Sequence, residues 1–214
     1  MATNDNLPIR VAAFVDWNSQ LRAVGRPENT SLSDQARTAL RRLGANLSRI
    51  IAREEESARF RLSLRFYCGW TKGFTRTDYF KALSGLAETF DIDPLFPSVR
   101  INVTPDIEFG DRLIDGLPAR QHPGLGIHLP NTLRNQGWDE LSEKMVDTAL
   151  ACDLLSWVRS NPDAWAVVVS NDDDLVPPVF VAEAWLQRSP GRVFLVRSQR
   201  RPSDKFLLLN GLTR

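Results

Sequence analysis

Apolar and polar positions alternate along the chain between two kinds of run. Ile9–Asp16 (IRVAAFVD) is apolar without a helical period and reads as a short buried strand. After it, Ser31 or Ser33 caps a long helix in which Leu32, Ala36, Leu40, Leu43, Leu47 and Ile50 recur at three- and four-residue steps. Phe60–Trp70 reads as a second strand, and Thr77 opens a helix with Phe80, Leu83, Leu86, Ala87 and Phe90 on one side. Ser98–Val103 is a third strand. From Thr104 to about Gly137 the pattern dissolves into Pro, Gly, Arg and Asn, with His122 and His128 inside it and room for a short strand near Arg112–Ile114. Stretches of that length are commonly functional.

Helical pattern resumes from about Asp139 to Arg159, Ala166–Ser170 is a fourth strand, and Val179–Gln187 form a helix after Pro177 and Pro178. Arg192–Ser198 is a fifth strand, and Ser203–Asn210 closes with a short helix. Strands alternating with helices predict an α/β fold, a mostly parallel sheet of about five strands with helices on both faces. The expected organisation is a single domain over 1–214 with a loop-rich insertion at about 104–137.

Composition narrows the class. The chain has 214 residues, 43% hydrophobic and 25% charged, and a net charge of +1, which suits a globular protein and excludes a polycation. No apolar run approaches the ~18 residues of a membrane span, and the N-terminus carries no signal-peptide core, so no membrane partner is expected. Cys68 and Cys152 fall in segments that read as buried and lack metal-site spacing, which points to a reducing, cytoplasmic setting.

The chemistry lies where strands end. In open parallel sheets, sites form beyond the carboxyl ends of strands at a topological switch point. Two strands end in acids: the first delivers Asp16 and Asn18, the fourth Asp172, Asp173 and Asp174. If those strands are neighbours, the carboxylates converge into a hard-oxygen environment suited to Mg²⁺ or Mn²⁺. A helix with apolar residues on nearly every face (Met145, Val146, Ala149, Leu150, Cys152, Leu154, Leu155, Val158) carries Asp147 in its first turns, where the helix dipole favours an anion. Lys144 lies three residues before it on the same side. Asp153 follows six residues after Asp147, roughly 120° around the helix, so the two cannot face one ion. Asp153 suits a buried arginine pair or a supporting site role. Asp173 is expected to face solvent or cap the following helix.

These residues carry a resemblance. D-x-N after an apolar strand (Asp16, Asn18), K-x-x-D (Lys144, Asp147) with a second Asp six residues on, and apolar-S-N-D-x-D followed by Leu175, Val176 and Pro177 are similar to the NYN family of PIN-like nucleases, metal-dependent ribonucleases on an α/β sheet. The ordered set spans Val11 to about Val196. It departs from the family in its D-x-N spacing, where D-x-x-N is more usual, in Asn171 where glycine is common, and in Leu175 for phenylalanine.

The resemblance implies that Asp16, Asp147 and Asp172 hold Mg²⁺ or Mn²⁺, with Asp174 and Asn18 completing the catalytic set. Ser170, Lys144 and Asp153 are supporting residues. Lys72, Arg200 and Arg201, which follow strands, are candidates for the RNA backbone. The implied activity is hydrolysis of RNA phosphodiester bonds, by an endonuclease. The alternative is an RNA-binding module of the same type with weak or no catalysis. Phosphatases of the haloacid-dehalogenase type want D-x-D-x-T on the first strand and Toprim-type sites a glutamate after it, and the chain has neither.

Overall fold

The computed structural model describes residues 7–69, 77–89, 91–110, 133–135, 141–143 and 145–197. In chain order the elements are β1 (Ile9–Asp16), α1 (Trp17–Val24), α2 (Leu32–Glu54), β2 (Phe60–Tyr67), α3 (Asp78–Thr89), β3 (Ile101–Phe109), β4 (Leu133–Asn135), β5 (Leu141–Glu143), α4 (Val146–Ser160), β6 (Trp165–Val169), α5 (Val176–Leu186) and β7 (Arg192–Val196). A five-stranded sheet has the order β3-β2-β1-β6-β7, and all its pairings are parallel. Order runs outward from β1 in one direction through β2 and β3, and from β6 in the other through β7. The switch point therefore lies between β1 and β6.

The central strands are legible as continuous apolar runs because helices cover both their faces. Val11 to Val15 and all of β6 are buried. Alternate residues feed two cores. Val11, Ala13, Val15, Val167 and Val169 pack under α1, α2 and α3; Ala12, Phe14, Ala166 and Val168 pack under α4 and α5. Full burial of each large side chain contributes about 1.5–3 kcal/mol. The helix starts follow capping chemistry: Ser31 Oγ accepts from Asp34 N at 3.0 Å, and Thr77 Oγ1 accepts from Phe80 N at 3.2 Å.

Three expectations are corrected. β3 runs on to Phe109 and is not confined to Ser98–Val103; a register shift opposite Leu62–Leu64 absorbs extra residues. Pro105 is tolerated there because β3 is an edge strand. The helix expected from Asp139 begins only at Val146. Leu141–Glu143 instead pairs antiparallel with Leu133–Asn135, and Met145, at φ 67°, is left-handed and cannot continue a helix backwards. Finally, Cys152 is exposed while Cys68 is buried, because α4 meets the sheet through Val146, Leu150, Leu154 and Val158 and turns Cys152 away. The strand expected near Arg112–Ile114 and the closing helix at Ser203–Asn210 lie outside the described residues. Among the described residues no helix is long and apolar enough to cross a membrane.

Candidate functional site

Asp16 is the last residue of β1 and the N-cap of α1, and these two duties fix its carboxylate at the sheet edge. Its Oδ1 accepts from Ser19 N at 3.1 Å. Because Val15 and Val169 are in register on adjacent strands, Ser170 falls beside it. Ser170 Oγ donates to Asp16 Oδ2 at 2.7 Å and accepts from Asp172 N at 3.1 Å, so one hydroxyl joins the ends of both strands. Asp172 Oδ1 in turn accepts from Asp174 N at 3.0 Å and caps a single 3₁₀ turn, Asp173–Leu175. The first and fourth predicted strands are neighbours, as expected, and Ser170 links the Asp16 carboxylate to the backbone of Asp172.

Asp16 is only 4% exposed and Ser170 is fully buried. Both donors on the Asp16 carboxylate are neutral, and among the described residues no cation pairs with it. A carboxylate offers about four lone-pair sites, so two remain after Ser19 and Ser170. Asp147 lies half-buried in the first turn of α4, and α4 touches the Asp173–Leu175 turn, which puts Asp147 at the same end of the sheet. Asn18 is half-buried in the first turn of α1. Among the described residues no three Asp, Glu, His or Cys side chains gather into a metal cage. The donor set still suits a hard cation such as Mg²⁺, which keeps several waters and needs only one or two carboxylates beside its phosphate ligands.

Two acids have other duties. Asp173, expected to face solvent or cap a helix, pairs with Arg197 at 2.6 Å, and the Arg197 side chain is only 3% exposed. Asp153 is buried and tied to β2. Its Oδ2 accepts from Arg65 Nη1 at 2.6 Å and from the Tyr67 hydroxyl, while Arg65 also pairs with Glu108. Burial and the Asp153 carboxylate push the Tyr67 hydroxyl well above its ordinary range. For Arg65, burial works against the charge, but Asp153 foremost outweighs it and raises its value. Of the two roles read for Asp153, the contacts are those of a structural pair that pins α4 to the sheet.

Arg65, Tyr67 and Arg197 were not singled out by sequence reasoning. Arg65 stands on the alternating polar face of β2 with exposed Arg61 and half-buried Ser63, so nothing local set it apart. Gly110 shows how closely that corner is packed, since a Cβ there would lie 2.1 Å from the Tyr67 ring. Lys72, Lys144, Arg200 and Arg201 lie outside the described residues. No family model, no curated protein and no solved structure matches the chain, so its likeness to the NYN family rests on the motif residues named above.

Proposed function

We propose that the chain is a Mg²⁺- or Mn²⁺-dependent ribonuclease that cuts RNA internally, on an α/β domain of the PIN-like, NYN type in a reducing, cytoplasmic setting. One observation carries the reading. A buried carboxylate, Asp16, held only by neutral donors among the described residues, is bridged by Ser170 to Asp172 at the switch point of a parallel sheet. Asp16 and Asp172 hold the ion, with Asp147 supplying a third carboxylate from α4. When bound, the ion polarises the scissile phosphate and acidifies a water for in-line attack. Ser170 fixes the orientation of Asp16 and, through Asp172 N, the path of the acid turn. Asp174 and Asn18 orient the attacking water. Lys144 neutralises charge at the phosphate, and Lys72, Arg200 and Arg201 grip the RNA backbone.

The test is cleavage of single-stranded RNA by the full chain with Mg²⁺ or Mn²⁺. Activity should be abolished by chelator and fall more than about a hundredfold in Asp16→Asn, beyond the 10–100-fold typical of a residue that only supports a ligand. Undiminished cleavage in that variant would sink the proposal. RNA binding that ignores chelator, with no cleavage under any metal, would favour the binding-module alternative.

A further inference from the structure

A cavity of about 340 Å³ lies between α2 and the end of β7, walled by Arg42, Asn46, Arg49, Arg53, Val196 and Arg197. Its volume is within the ~300–1,000 Å³ range of ligand sites, but its lining is unlike the usual apolar one. Four arginines and one acid, Glu54, line it, and of the arginines Arg197 is paired with Asp173. The cause is periodicity: positions 42, 46, 49 and 53 are four, three and four residues apart and share one face of α2, the flank beside the buried Leu43, Leu47 and Ile51. Arg49 and Arg53, both exposed, are like charges at i,i+4, an arrangement that destabilises a helix by tenths of a kcal/mol unless an anion lies between them. Arg42 Nη1 donates to Ala23 O at 2.8 Å, which holds that side chain against α1.

The cavity adjoins the acid crevice. Its wall residue Val196 accepts from Ser170 N at 3.2 Å, and Arg197 pairs with Asp173 of the acid turn. One strand spacing, about 4.8 Å, therefore separates the end of β6 from the cavity wall. Arginine forks match phosphate oxygens two at a time, and a row of them along a helix matches a polymer of phosphates better than a single small anion.

We propose that this cavity binds the phosphodiester backbone of a single-stranded nucleic acid, as a second site beside the acid crevice. Anion binding there stands on the arginines alone; that the same strand is the one cut rests on the ribonuclease reading. Binding of a fluorescent single-stranded RNA of about 16 nucleotides, the upper site size of small single-strand binders, would be followed by anisotropy in chelator across a salt series. Arg49→Ala/Arg53→Ala should weaken binding about tenfold and flatten the slope of log K against log salt by about 1.4, two contacts at ~0.7 each. DNA of the same length should show the same loss, since phosphates and not 2′-hydroxyls are gripped.

Unchanged affinity and slope in the double variant would overturn the proposal, as would a polyglutamate peptide competing as well as RNA. Arg49→Lys/Arg53→Lys keeps the charge and should keep the slope; a loss there equal to that of alanine would trace to the fold and overturn it too. Asp16→Asn separates the two readings. If it still cuts RNA, the ribonuclease proposal falls while the arginine result stands; if it binds but does not cut and the arginine variants bind normally, the reverse holds.

Discussion

Asp16 and Asp153 are both buried carboxylates near the β1–β2 end of the sheet, yet their surroundings are opposite in kind. Asp153 meets a guanidinium and a phenol, so its charge is balanced within the protein. Asp16 meets a backbone N–H and a serine hydroxyl, so it is oriented but not neutralised by the described residues. A closed pair stabilises the fold at its own position; an oriented acid without a cationic partner among the described residues is what the proposed metal site requires. Burial alone would have ranked the two equally, at 4% and 7% exposed.

The comparison can be broken by mutation. Asp153→Asn should cost about 3 kcal/mol in urea unfolding, the lower end for breaking a buried pair, because Arg65 keeps Glu108. Ser170→Ala should cost about 2 kcal/mol, since it removes a donor from a carboxylate and an acceptor from Asp172 N. Asp16→Asn should change metal-free stability by less than about 1 kcal/mol, as the amide oxygen still accepts from Ser19 N and an unbalanced charge is removed. What it should lose is the stabilisation by Mn²⁺, about 1.4 kcal/mol at tenfold excess over Kd, read as a thermal shift. If Asp16→Asn unfolds as readily as Asp153→Asn, the contrast is wrong.

The smallest effect is alkaline. Because the Tyr67 hydroxyl is raised in the folded state, its contribution is fully present below the ordinary tyrosine value of about 10 and is lost as pH rises beyond it. Thermal midpoints between about pH 9 and 11 should fall in the parent and fall less in Tyr67→Phe.

Legibility in the sequence followed the length scale of each cause. β1 and β6 were readable because strands covered on both faces are unbroken apolar runs, and Asp16 and Asp172 because they stand where those runs stop. The start of α4 was not, because Leu141–Glu143 is compatible with either element and its partner strand, Leu133–Asn135, lies in a stretch without pattern. Nor was the Arg65–Asp153 pair, whose members are 88 residues apart on different elements and leave no periodic trace. The arginine row of α2 was not singled out in the sequence, and that β7 walls it into a cavity depends on strand order, which no local window contains.

The switch point between β1 and β6 also has a temporal side. Asp16 and Ser170 are 154 residues apart, so the residue that orients the acid is synthesised long after the acid itself. At about 5–20 residues per second that is a delay of roughly 8–30 s. A nascent chain can dock β1, β2 and β3 in that interval, but the β6 side of the crevice does not yet exist. The acid site is therefore completed only once β6 has been added.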